Sequence, residues 1–171
     1  MKSDMEFLIV SDTHGRADRL SAVLSRTRAD VLLFLGDGLR DLNVVPPEIT
    51  VRAVRGNCDF FAHDDAPETR VEDFGALRLF LTHGHRYGVK ASTEAAICAA
   101  AEAGADVLLY GHTHRALERT LVAGTPVAGK PLEKPMLVLC PGSLGQPPDG
   151  HPSFATLTML SNGLLAGFGT L

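Results

Sequence analysis

Phe7-Leu8-Ile9-Val10 runs directly into Ser11-Asp12-Thr13-His14-Gly15. Four apolar residues without alternation predict a strand buried on both faces, and the polar, glycine-ended stretch predicts that its C-terminal end opens into a loop. Residues 19–26 follow with Leu20, Val23 and Leu24 at helical spacing, and then comes a second apolar run, 31–35, stopped by Gly36-Asp37-Gly38. Strand, helix, strand in this order is the pattern of a parallel sheet covered by helices.

The same punctuation recurs down the chain. Residues 50–54 read as a third strand and end in Arg55-Gly56-Asn57-Cys58-Asp59. Thr69–Phe74 and Leu77–Thr82, joined by Gly75-Ala76, predict a hairpin whose second strand runs into His83-Gly84-His85. An alanine-rich helix is expected over 91–103, with Gly104 as its C-terminal cap. Val107–Tyr110 is a further buried strand and delivers Gly111-His112-Thr113-His114. Beyond it the texture turns to short strands at 137–139, 154–160 and 164–168, the last two linked by Asn162-Gly163, with 123–134 read as a surface loop or loose hairpin.

Five apolar runs thus end in Asp, His or Asn: Asp12 and His14, Asp37, Asn57 and Asp59, His83 and His85, His112 and His114. In an open α/β sheet the C-terminal strand ends gather along one edge, where ligands bind, so these clusters are expected to converge. Residues two apart in extended backbone point the same way, which lets Asp12 with His14, and His112 with His114, face one centre. Four imidazoles, two carboxylates and a carboxamide exceed the needs of one tetrahedral ion and suit two ions of the Zn, Mn or Fe type. One carboxylate must then serve both ions. Asp37, on its glycine-flanked loop, is the best placed.

These motifs in this order resemble the calcineurin-like metallophosphoesterase superfamily, and within it the small single-domain prokaryotic phosphodiesterases. Pro141-Gly142-Ser143 is similar to a further motif near that family's active site. The resemblance implies a four-layer α/β/β/α sandwich of two mixed β-sheets flanked by helices. It implies that Asp12, His14, Asp37 and His114 bind one metal and Asp37, Asn57, His83 and His112 the other. The cofactors expected are two divalent ions drawn from Mn, Zn, Ni, Fe or Co, and the activity is hydrolysis of small phosphodiesters or nucleotide-like substrates. The chemical reason is that a phosphodiester repels hydroxide while neutral water attacks poorly. Two cations about 3.5–4 Å apart answer both difficulties, acidifying a shared water and neutralising phosphate oxygens during in-line attack.

One departure concerns leaving-group protonation. Many superfamily members carry a histidine after the Gly-Asn pair, where this chain has Cys58, a poorer acid at neutral pH. His85 is the nearest other candidate acid, and Asp59 is read either as part of the catalytic group or as a brace for the Asn57 loop. Arg40, Arg55, Arg86 and Arg115 each lie near a motif and are candidates to contact phosphate. Ser143 is read as shaping the loop beside the site, and His63 and His151 as surface residues.

Composition narrows the alternatives. The 171 residues are expected to form one domain over 1–171, and 45% hydrophobic with 21% charged residues excludes disorder and coiled coil. A net charge of −4 provides no attractive field for a polyanion, so long nucleic acid is not expected as substrate. Three cysteines without C-x-x-C spacing, and no apolar stretch of membrane-spanning length, lead to the expectation of a cytoplasmic protein with no membrane partner. A metallo-β-lactamase-type site is excluded because His83-Gly84-His85 is followed by Arg86-Tyr87-Gly88 rather than by x-Asp-His. Two further expectations are a homodimer or homotetramer and, as the competing functional reading, a metal-bound interaction scaffold of the same fold, as in the retromer subunit that resembles these enzymes.

Overall fold

The computed structural model describes residues 4–60 and 65–171, so His63 lies outside the described residues. The first sheet is built on three parallel strands, β1 (Met5–Val10), β2 (Val31–Phe34) and β3 (Thr50–Ala53), whose registers pair Phe7 with Val31 and Val31 with Thr50. The second contains β4 (Thr69–Phe74), β5 (Leu77–Thr82), β6 (Val107–Tyr110), β7 (Ala116–Leu121) and β10 (Met136–Pro141) in the order β4-β5-β6-β10-β7, with β5, β6 and β10 parallel. Between β7 and β10 in sequence, β8 (Pro126–Val127) and β9 (Lys130–Pro131) form a small separate hairpin. The last hairpin, β11 (Ser153–Leu160) and β12 (Gly163–Thr170), joins the first sheet antiparallel to β1 and completes the order β12-β11-β1-β2-β3.

Strict alternation along each central strand sorts the core into layers. Phe7, Ile9 and Leu33 from the first sheet meet Leu79, Leu81 and Leu109 from the second, filling the space between sheets. The opposite faces are covered as well: Leu8, Val10 and Phe34 pack under Leu20 and Val23 of α1 (Ala17–Arg26), and Phe80, Leu108 and Tyr110 under Ala96, Ile97 and Ala100 of α2 (Glu94–Glu102). Both faces of these strands are therefore dry, which is why they read as unbroken apolar runs. The four-layer sandwich of two mixed sheets is the one the family resemblance implied. Ile9 has no exposure and sits in the central layer, so Ile9→Ala is expected to cost about 2–5 kcal/mol, read from the urea midpoint.

The differences from the sequence reading lie where burial leaves no periodic signal. β7 carries five exposed residues in a row and owes its existence to backbone pairing with β10, Met136 opposite Leu121 through Pro141 opposite Ala116. The 123–134 stretch, by contrast, is the loose hairpin that the sequence allows as one of two readings, β8 and β9 turned by Ala128 and Gly129, both at positive φ. Helix α2 starts at Glu94 rather than at 91, because residues 88–92 form turns onto Gly88 and the Ser92 hydroxyl takes the Glu94 N–H at 3.2 Å. Among the described residues, no helix is long and apolar enough to cross a membrane.

Candidate metal centre

The C-terminal ends of both parallel triplets emerge at one edge of the sandwich. Asp12 N–H donates to the Gly36 carbonyl (2.9 Å), Gly111 N–H to the His83 carbonyl (3.1 Å), and across the sheets His112 N–H donates to Asp12 Oδ2 (3.0 Å). Six described non-glycine residues have positive φ, and five of them are Asp12, His14, Asp37, His112 and His114, between 46° and 69°. Such conformations cost about 1–3 kcal/mol each and persist where the surroundings over-determine them. Here the strained residues all aim side chains at one point.

Two triads result. Donor atoms of Asp12, His14 and His114 lie within 4.8 Å of one another, as do those of Asp37, His83 and His112. Asp37 Oδ2 joins the two, 3.2 Å from His83 Nε2 and 3.8 Å from His14 Nε2, while its Oδ1 accepts from Cys58 N–H at 2.8 Å. Asn57 turns Oδ1 toward His83 Nε2 at 3.1 Å. All seven residues singled out as ligands, Asp12, His14, Asp37, Asn57, His83, His112 and His114, are thus gathered at one edge.

The donor chemistry fits a cation. His83 Nδ1 is 2.7 Å from the Leu35 carbonyl and His114 Nδ1 is 2.9 Å from the Gln146 carbonyl. A carbonyl only accepts, so each ring places its N–H there and turns Nε2 inward, the arrangement that orients metal-binding imidazoles. Inside, His83 Nε2 faces two acceptors, Asp37 Oδ2 and Asn57 Oδ1, and His114 Nε2 faces Asp12 Oδ1 at 3.0 Å and His14 Nε2 at 3.4 Å. Asp12 Oδ1 is buried and accepts no hydrogen bond. Each of these contacts needs positive charge, supplied either by protons on the rings or by a cation held among them.

Electrostatics agree. Burial raises Asp12, but the imidazoles of His114 and His14 beside its carboxylate outweigh that and hold it well below the usual range; burial and His83 compete in the same way at Asp37, which also falls. Burial opposes charge on His83, yet the Asp37 and Asp12 carboxylates prevail and raise it; the Asp12 carboxylate beside it raises His114. His112 is pushed down to about 4 by burial and by His83, which leaves its lone pair free at neutral pH.

The other sequence candidates take different places. Asp59 is buried with both oxygens turned away from the donors: it accepts from the backbone N–H groups of Asp37 (2.8 Å), Gly38 (2.8 Å), Leu39 (3.0 Å) and Gly56 (2.8 Å). The brace reading, not the catalytic one, matches that geometry. Cys58 is exposed beside His14 and Asp37, and burial with the Asp37 carboxylate pushes its thiol up. His85 stacks beside His83 and His112 at 5.4 and 6.2 Å between ring centres, and burial with the charge of His83 lowers it. Arg86 is engaged by Glu68 at 3.0 Å, and Arg55 by the Asp59 and Ala66 carbonyls. Ser143 Oγ donates to the Asp12 carbonyl and accepts from Gln146 N–H, both at 2.8 Å, shaping the loop as expected.

Sequence reasoning missed Ser11 and Asp41. Ser11 Oγ donates to Asp12 Oδ2, while Asp41 accepts from Thr13 Oγ1 and from Gly15 N–H (3.0 Å), anchoring the His14 loop. Asp41 lies only four residues beyond Asp37, but nothing in that spacing distinguishes an anchor from a surface carboxylate.

Comparison with known proteins points the same way. The chain is 32% identical over 157 residues to the probable metallophosphoesterase YsnB of Bacillus subtilis (strain 168), covering 91% of this chain and 85% of that protein. It is 31% identical over 188 aligned positions to phosphodiesterase YfcE of Escherichia coli (strain K12), covering 95% and 90%. A Streptococcus pneumoniae TIGR4 crystal structure, described as a predicted phosphoesterase, superposes with a TM-score of 0.75 at 25% identity over 99% of this chain and 91% of that one. Residues 5–162 match the calcineurin-like phosphoesterase superfamily domain, and with the matching sandwich and the His/Asp edge described above, the chain belongs to that family.

Proposed function

We propose that the chain is a dinuclear metal-dependent phosphodiesterase that hydrolyses small phosphodiesters. The observation that carries this reading is the set of inward-facing acceptors joined through Asp37 Oδ2, between His14 and His83. Asp12, His14, Asp37 and His114 would hold one ion, and Asp37, Asn57, His83 and His112 the other. When bound, the ions supply positive charge for the phosphate oxygens and acidify water at neutral pH. The mixed nitrogen and oxygen donors accept Mn, Zn, Ni, Fe or Co.

The protein's own share is positioning and charge. Asn57, a neutral donor, leaves the centre more positive than a third carboxylate would, which favours an anionic ester. Leu35 and Gln146 fix the tautomers of His83 and His114. At the rim, burial and the Asp37 carboxylate push the Cys58 thiol up, making it a weaker acid, while burial and the charge of His83 push His85 down, so that its protonated form is the scarcer one.

Loading with each metal, followed by elemental analysis and assay of bis-p-nitrophenyl phosphate, tests the reading. Two ions per chain with metal-dependent hydrolysis are expected. Two ions without hydrolysis would favour the scaffold reading, and failure to hold metal would remove both. A subtler variant probes the cradle. A Cβ on Gly111 would come within 2.0 Å of Ser11 Oγ and 2.9 Å of Asp12 Oδ2, so Gly111→Ala is expected to displace Asp12 and weaken metal binding about 10- to 100-fold, measured by competition with a chelating dye.

A further inference from the structure

Two clefts adjoin the centre, the first through His14 and Asp37 and the second through His114. One, of about 330 Å³, is walled by His14, Asp37, Arg40, Cys58 and Gln146. The other, of about 520 Å³, is walled by His114, Arg115, Asp149, His151, Ser153 and Phe168. Gln146 lines the first, and its carbonyl accepts from Nδ1 of His114, which lines the second. Both volumes fall in the range of small-molecule sites, about 300–1,000 Å³.

The larger cleft follows from the fold. Alternation along β12 places Phe168 on the same face as Ala166, which packs against the inter-sheet core. Two residues further along, that core gives way to the loops, and Phe168 is left 43% exposed. Arg115 enters from the start of β7, and its guanidinium makes no hydrogen bond or ion pair among the described residues. Asp149 contributes a carboxylate, one oxygen of which accepts from His151 N–H at 3.0 Å. An exposed aromatic ring with a guanidinium donor and a carboxylate acceptor around it matches a flat aromatic group that carries both acceptors and donors on its edge.

We propose that this second cleft is a specificity subsite for one ester arm of the substrate, and that the arm is an aromatic, hydrogen-bonding ring system of the nucleobase type, stacked on Phe168 and contacted at its edge by Arg115. This rests on the phosphodiesterase reading above. A monoester has one arm and leaves one cleft empty, whereas a diester with phosphorus at the centre reaches both.

The test compares thymidine 5′-(p-nitrophenyl phosphate) with methyl p-nitrophenyl phosphate, which share a leaving group and differ in the other arm. The metal-loaded protein is expected to favour the thymidine ester in kcat/KM by at least tenfold, mostly through KM. Phe168→Leu and Arg115→Met are each expected to reduce that preference about tenfold. Saturation-transfer NMR with thymidine 5′-phosphate is the second readout, with transfer to the base protons expected in the native protein and lost in Phe168→Leu. Thermal unfolding checks that both variants fold. Hydrolysis of both esters with equal efficiency, or a preference and transfer unchanged in both variants, would overturn the subsite and leave the phosphodiesterase reading standing. Absence of all hydrolysis, with NMR transfer that depends on Phe168, would instead overturn the phosphodiesterase reading and keep the cleft as a nucleotide site.

Discussion

Asp37→Asn is expected to lower metal-dependent diester hydrolysis by about 10²- to 10³-fold or more and to abolish the thermal stabilisation that metals confer. The substitution is nearly isosteric. Its amide oxygen can still accept the Cys58 N–H that Asp37 Oδ1 receives at 2.8 Å, so the loop has no reason to move. What changes is the other terminus: an NH₂ donor replaces Oδ2, the atom that lies 3.2 Å from His83 Nε2 and 3.8 Å from His14 Nε2. A group shared by both halves of the centre is thereby lost, together with one negative charge, and both halves lose affinity at once. Because a ligand that binds only the folded state stabilises it by mass action, the Tm difference between loaded and metal-free protein should collapse in Asp37→Asn, while the metal-free Tm moves little. An Asp37→Asn protein that keeps two ions and full turnover contradicts the shared-ligand assignment.

What was legible in the sequence was the part of the site that sits in line with a strand. Asp12, Asp37, Asn57, His83 and His112 each follow an apolar run within a few residues, because a strand buried on both faces has to be unbroken and its end has to be marked by polar or glycine residues. The parallel strand-helix-strand start followed from the same runs, whereas the four-layer sandwich came from the family resemblance. The fastenings were not legible, since their partners are backbone groups on other loops. The Asp59 carboxylate meets N–H groups near Asp37, and the Ser143 hydroxyl meets the Asp12 carbonyl 131 residues away. Backbone amides carry no sequence signature. Strand β7 and the cleft above Phe168 escaped for a related reason: exposed edge residues are free of the alternation that burial imposes.

Asp59→Ala is expected to be the most destabilising single change at the site, at about 3–5 kcal/mol, and its pattern separates a positioning residue from a catalytic one. The carboxylate accepts four backbone N–H groups, three from the Asp37 loop and one from Gly56 at the start of the Asn57 loop. Removing it strands donors that cost about 1–3 kcal/mol apiece when unsatisfied, with water at the site rim recovering part of the loss. Asp59→Asn should do little better, although it fills the same space. An amide offers one oxygen, and its NH₂ must then confront N–H groups that also donate. Both changes leave the donor atoms of Asp37 and Asn57 chemically intact but untie the two loops from each other, so metal affinity is expected to fall about 10- to 100-fold and activity to return substantially as metal concentration is raised. A group in contact with the reacting atoms would not be rescued in this way. Urea unfolding measures the first effect, and metal titrations of kcat measure the second. Full stability in Asp59→Asn, or a kcat deficit that persists at saturating metal, would show that the four hydrogen bonds are not what this carboxylate is for.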